Sequence, residues 1–183
     1  FMVTDSLKVA LMSDHIPLKE VVGYLNEEKI NAKIASLEKS LSQDFGIQRP
    51  KIAVLGINPH TGDNGVIGDE DDTLLTPVIK KWNEKGSLVF GPYAADGFFG
   101  NQRYTKFDGV LATYHDQGLI PFKTLSFGQG VNFTAGLSHV RTSPDHGTAF
   151  DIAGKGVADA SSFSEAVYTA RAIFLQRKEV NFS

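Results

Sequence analysis

Whatever chemistry this 183-residue chain performs falls to five histidines and to carboxylate, amide and cationic side chains, because it contains no cysteine. That excludes disulfides, thiolate nucleophiles and Cys-ligated zinc. Three of the histidines stand just past apolar runs: His15 after LKVALMSD, His60 after KIAVLGINP and His115 after DGVLATY. One such residue alone would be a capping or hydrogen-bonded loop histidine; three in equivalent places suggest a shared site. A second group, Lys123, Asn132 and Arg141, is interleaved with the glycine-bearing sequences FGQG, GVNF and AGL. An ammonium, an amide and a planar guanidinium together suit phosphate or carboxylate oxygens. A third stretch, RTSPDHGTAFDIAGKGVAD at 141–159, combines glycines with Asp145, Asp151 and Asp159 and reads as a loop shaped around something flat.

The elements that must position these groups follow from periodicity. Buried parallel strands read as short, nearly continuous runs of Val, Ile, Leu and Ala, and ligands of open α/β sheets collect outside their carboxyl ends. Strands are expected over 1–4, 7–12, 51–55, 87–90 and 107–114, the first two as a hairpin around Thr4-Asp5-Ser6. One helix opens at Pro17, with Leu18, Val21, Val22 and Leu25 at helical spacing. A second spans 27–45 on an Ile30, Ile34, Leu37, Leu41 stripe and stops at Gly46, and a third covers 72–84. The last, 161–178, places Phe163, Ala166, Val167, Ala170, Ile173 and Phe174 on one face as core. Between them, the 56–72 loop lacks the G-K-[ST] of a phosphate loop, and Asp96 lies within GPYAADGFFG. The alternation of strand and helix gives an α/β layer structure.

Composition bounds the rest. With 42% hydrophobic and 21% charged residues the chain is an ordinary globular sequence of one domain. A net charge of -3 argues against a phosphate-tracking nucleic-acid surface. No apolar run reaches bilayer length and no signal peptide is evident, so a cytoplasmic location without membrane contact is expected. Phe1-Met2-Val3-Thr4 reads as a strand already under way, which leads us to expect the C-terminal part of a longer protein.

SDHIPL, GINPHTGDNG, YHDQGLIPFK, GQGVNFTAGL and RTSPDHGTAFDIAGKG together resemble the 4-hydroxythreonine-4-phosphate dehydrogenase family of vitamin B6 (pyridoxal phosphate) biosynthesis, over nearly the whole chain. The resemblance implies α/β/α layers like those of the isocitrate and isopropylmalate dehydrogenases. Residues 1–183 would be the C-terminal metal-, substrate- and nucleotide-binding portion of a two-lobed enzyme, without its N-terminal half. It implies a homodimer with a shared active site, in which His15, His60 and His115 bind a divalent metal and the third ligand comes from the other subunit. These histidines and Lys123 would be the catalytic groups. Lys123, Asn132 and Arg141 would hold the phosphorylated substrate, with Asp96 and Asp116 as orienting acids. The reaction implied is NAD-dependent oxidation of 4-phosphooxy-L-threonine to a β-keto acid that decarboxylates. Zinc is the favoured metal, with Co, Mg, Mn and Ni as further members of the set. DHGTAFDIAGKGVAD also resembles the adenosine-binding loop of isopropylmalate dehydrogenase, apart from Phe150 in place of proline. That assigns His146, Gly147, Asp151 and Gly154 to NAD, Asp151 toward the ribose, although capping of the Ile152-Ala153 turn is an alternative use of Asp151. The 183 residues alone are expected to show little turnover. Rival readings are a dehydrogenase of a four-carbon threonate or erythronate phosphate, a three-histidine zinc hydrolase or hydratase, and a catalytically silent metal- or phosphate-binding domain.

Overall fold

The computed structural model describes residues 1–145, 147 and 150–182. Among them, seven strands, β1 (Met2–Val3), β2 (Lys8–Leu11), β3 (Lys51–Leu55), β4 (Leu88–Tyr93), β5 (Gly109–Ala112), β6 (Val131–Phe133) and β7 (Thr142–Pro144), form one sheet in the order β4-β3-β5-β2-β1-β6-β7. The helices are α1 (Val21–Tyr24), α2 (Glu27–Gln43), α3 (Thr76–Glu84), α4 (Ala95–Gly100), α5 (His115–Ser126) and α6 (Ser161–Phe182). β4, β3, β5 and β2 run parallel, whereas β1 pairs antiparallel with β2 and β6, and β6 with β7.

The parallel strands are apolar along their length because both faces are covered. Ala10, Ile52, Val54 and Leu111 face one way, against Ile30, Ile34, Leu37 and Leu41 of α2 and Val78 and Ile79 of α3. Val9, Ala53, Leu55, Val110 and Ala112 alternate to the opposite face, against Phe98 of α4 and Phe122 of α5. The result is helices on both sides of a central sheet, as expected from the sequence. α2 starts where the Asn26 side chain accepts the Lys29 N–H at 2.9 Å, and the chain turns out of it at Gly46, whose φ of +72° suits glycine.

Five elements depart from the sequence expectations. β6 and β7 fall in the glycine-bearing segments 127–137 and 141–159, where no strand was expected, and α5, which carries Pro121 in its interior, had no helix expected for it. The helix opening at Pro17 is a 3₁₀ turn, Leu18–Glu20, running into the four-residue α1. α6 is also rotated from the expected face. Ala166 and Ile173 are buried against Val3, Val131 and Phe133, while Phe163, Val167 and Phe174 are 62%, 52% and 51% exposed. An ion pair fixes that rotation: Arg177 Nε donates to Asp44 Oδ1 at 2.6 Å, and its Nη1 donates to Leu137 O at 3.0 Å.

α5 lies close to the sheet because Gly118 has no side chain. A Cβ there would meet Leu11 Cδ2 at 2.8 Å and Ala112 Cβ and Val9 Cγ1 at 2.9 Å. Gly118→Val is expected to overpack this contact and lower stability by roughly 1–3 kcal/mol, measurable as a shifted urea midpoint.

Candidate functional site

Because β2, β5, β3 and β4 are parallel, their carboxyl ends share one edge of the sheet. His15 follows β2, His115 opens α5 after β5, His60 follows β3, and Asp96 stands in the first turn of α4 after β4. Adjacent strands are about 4.8 Å apart, so the chains leaving β2 and β5 bring the His15 and His115 rings to 5.4 Å between centroids. His115 Nδ1 lies 2.7 Å from Asp116 Oδ1. With the neutral ring donating Nδ1–H to that carboxylate, Nε2 is the nitrogen left for a ligand, the usual arrangement behind a metal-binding histidine.

The strand ends are tied to one another through side chains. Ser13 Oγ donates to Thr113 O at 2.7 Å across the β2 and β5 exits. Gln117 Nε2 donates to Gly56 O at 2.6 Å, and its Oε1 accepts the Thr113 N–H at 2.7 Å, joining the β5 and β3 exits. Farther along the β3 exit, Asn58 Nδ2 donates to Glu70 Oε2 at 2.6 Å. The Glu70 carboxyl is held below its ordinary range by its own backbone N–H first and by Asn58 second.

A cavity of about 350 Å³ opens beside the imidazole pair, lined in part by Asp14, His15, Lys33, His115, Asn132 and Thr134. Lys33 Nζ lies 3.6 Å from Asp14 Oδ2 within it. Arg141 Nη1 donates to Thr134 Oγ1 at 2.8 Å, which sets the guanidinium next to a lining residue. Lys123 shares a helix face with His115 and Leu119 at spacings of four, about 12 Å along α5. It is half exposed and paired with Asp145 at 3.2 Å.

The structure therefore brings together His15, His115 and Asn132, ties Arg141 to Thr134 of the same cavity lining, sets Asp116 behind His115, and extends the His115 helix face to Lys123. His60 and Asp96 share the sheet edge but do not line this cavity. Among the described residues no group of three imidazole or carboxylate side chains could hold a metal ion, so one chain does not close the three-histidine set. Asp151 sits in an exposed 3₁₀ turn, Phe150–Ile152, where Ala153 N–H donates to Phe150 O. Gly147 is exposed, Gly154 has a φ of +75°, and His146 lies outside the described residues. Lys33, Asp14, Thr134 and Gln117 escaped the sequence reading. Lys33 lies in a helix read as scaffold, whereas Gln117, within YHDQG and four residues after Thr113, was accessible from spacing.

Imidazoles at the carboxyl ends of parallel strands, beside an amide from β6, form a candidate small-molecule site placed as in other open α/β proteins. The chain belongs to the family of pyridoxal phosphate biosynthetic protein PdxA, whose model matches residues 1–170. It is 52% identical over 174 residues to a 4-hydroxythreonine-4-phosphate dehydrogenase of Bacteroides thetaiotaomicron, covering 95% of this chain and 48% of that protein. The crystal structure of a 4-hydroxythreonine-4-phosphate dehydrogenase from Klebsiella pneumoniae superposes with a TM-score of 0.81 at 40% identity, over 94% of this chain and 53% of that one. A terephthalate 1,2-cis-dihydrodiol dehydrogenase from Burkholderia xenovorans superposes with a TM-score of 0.74 at 29% identity, over 93% and 54% of the two chains. The chain thus spans about half the length of the relatives it matches.

Gln117→Ala would strip a partner from Gly56 O and from the Thr113 N–H. A loss of about 1–3 kcal/mol is expected on unfolding by urea, and Gln117→Glu, which sets a carboxylate oxygen against the Gly56 carbonyl, should lose at least as much.

Proposed function

We propose that this chain is the metal-, substrate- and nucleotide-binding part of an NAD-dependent 4-hydroxythreonine-4-phosphate dehydrogenase, completed by an N-terminal lobe and by a second copy across a shared site. The observation that carries this reading is the His15 and His115 pair, with Asp116 on His115 Nδ1, facing a cavity that also holds Asn132. Two imidazoles, one of them oriented by a carboxylate, fit a divalent ion. His15 and His115 would hold it, with His60 as the third imidazole of a set closed across the dimer. Zinc is favoured by the all-nitrogen ligand set, with Co, Ni, Mn and Mg as alternatives. Such an ion supplies Lewis acidity both to hydroxyl oxidation and to the decarboxylation that follows.

The chain's own residues do the rest. Arg141 presents a planar fork suited to phosphate oxygens, with Asn132 adding an amide and Lys123 a point charge. Lys123 begins in the pair with Asp145, so substrate phosphate exchanges one anion for another rather than meeting a bare cation. Asp116 orients His115, and Asp96 adds a carboxylate at the same sheet edge. In the 141–159 segment, Asp151 is assigned to the ribose hydroxyls of NAD, where it would repel the 2′-phosphate of NADP; Gly147 and Gly154 allow close backbone approach, and His146 belongs to the same segment. The α/β/α layering agrees with a lobe of the isocitrate and isopropylmalate dehydrogenase type.

A second reading, a dehydrogenase of a four-carbon aldonate phosphate, draws on the same groups, which read phosphate and hydroxyls without demanding an amine. A relative at 29% identity is named for a dihydrodiol substrate, so the fold serves hydroxyl oxidation on more than one kind of substrate. A substrate panel on the full-length enzyme, followed as NADH absorbance, separates the two: 4-phosphooxy-L-threonine is expected to exceed threonate and erythronate 4-phosphates in kcat/KM, and the reverse order would overturn the primary reading. In the same enzyme Arg141→Ala is expected to lower kcat/KM by about tenfold or more, in line with loss of a charge-assisted contact. Asp151→Ala should narrow the preference for NAD over NADP, and a wild-type enzyme that favours NADP would remove Asp151 from the cofactor site.

A further inference from the structure

Residues 60–65 run left-handed without interruption. The φ values are 52° at His60, 53° at Thr61, 85° at Gly62, 46° at Asp63, 55° at Asn64 and 89° at Gly65. Only two of the six are glycines. L-residues resist this conformation because Cβ crowds the carbonyl oxygen, and a β-branched residue such as Thr61 resists it most. Such a segment persists only where its surroundings hold it.

Two features hold it. Gly62 lies so close to Gly68 that a Cβ on Gly62 would fall 2.1 Å from Gly68 O, and Ile67 N–H donates to Gly62 O at 3.0 Å, closing the tip. The base is closed by Asp71, which is fully buried. Its Oδ1 accepts the Ile57 N–H at 2.8 Å and its Oδ2 accepts the Asn58 N–H at 2.9 Å. Both carboxylate oxygens are thus taken by backbone N–H groups at the opposite end of the loop. Asn58 in turn bonds Glu70 through its side chain and accepts the Thr61 N–H through its carbonyl at 3.1 Å. A continuous path of bonds therefore runs from Asp71 through Asn58 to the left-handed turn that carries His60.

We propose that Asp71 is a positioning residue for His60, its buried carboxylate bolting the base of the 57–71 loop so that the left-handed turn presents the imidazole in one fixed place. The inference rests on the proposal that His60 is a metal ligand. A ligand on a relaxed loop would lose affinity through the cost of ordering it on each binding event.

Cobalt(II) titration of the full-length dimeric enzyme, in which the shared site is complete, followed by visible absorption, tests both layers. The wild type is expected to bind, and His60→Ala should weaken binding by about tenfold or more. Asp71→Asn keeps the shape but turns an NH₂ toward one of the two backbone donors; it should weaken binding by roughly 10–100-fold, the range seen when the support of a ligand is lost, and because the unsatisfied donor also lowers the thermal midpoint, binding is read well below that midpoint. Ile57 and Asn58 amides should lose hydrogen-exchange protection in that variant, and β3 amides should keep theirs. Cobalt binding by His60→Ala equal to wild type, or no binding by wild type, overturns His60 as a ligand. Weakened binding by His60→Ala beside unchanged binding by Asp71→Asn overturns the positioning role alone. If Asp71→Asn does not fold, the wild type decides: Ile57 and Asn58 amides exchanging as fast as exposed loop amides refute the anchoring.

Discussion

The parallel pairing of β5 with β2 on one side and β3 on the other is the constraint on which the site depends. Parallel neighbours must be joined by crossovers that lie on the sheet faces, and here α2 covers one face and α5 the other. Every connection leaves its parallel strand at the carboxyl edge, and each starts within one strand spacing of the next. His15 and His115 meet because of strand order alone. Reversing either strand would send its histidine to the far edge of the sheet.

Strand ends carry backbone groups that no ladder satisfies, and how they are satisfied decides how rigid the edge is. Here side chains supply the partners: Ser13 and Gln117 bind the β2, β5 and β3 exits to one another, and Asp71 takes two N–H groups just beyond β3. No buried side-chain nitrogen or oxygen among the described residues lacks a hydrogen-bond partner. The edge is thereby a fixed platform on which exposed imidazoles are set. Polar groups that look incidental in the sequence turn out to hold the strand ends that carry the histidines in register.

Much of this was legible from residue pattern. The apolar runs before His15, His60 and His115 marked parallel strands because burial on both faces suppresses alternation, and the α2 stripe gave its helix to within two residues at its C-terminal end. α5 was not legible, since Gly118 and Pro121 are poor helix formers whose local preference is overridden by contact with Leu11 and Ala112. α6 is legible as a helix but not in its buried side; its apolar residues are spread over more than one face, and the stripe that meets the core is the one that lets Arg177 reach Asp44, a pair 133 residues apart in sequence. The left-handed turn after Pro59 was invisible for a related reason, because it is imposed by Asp71 and Gly68 rather than by local residues.

The rotation of α6 also governs how this chain behaves as a colloid. Phe163, Val167, Tyr168, Phe174 and Leu175 leave a band of oil along a 22-residue helix, in a molecule whose net charge of -3 offers little mutual repulsion. Near the isoelectric point of 5.9 that repulsion vanishes, and the band becomes the main influence on how two copies meet in solution. A surface that has no part in the imidazole site thus carries the greatest tendency to bring copies of the 183 residues together, and raising the pH above 5.9 restores the negative charge that opposes it.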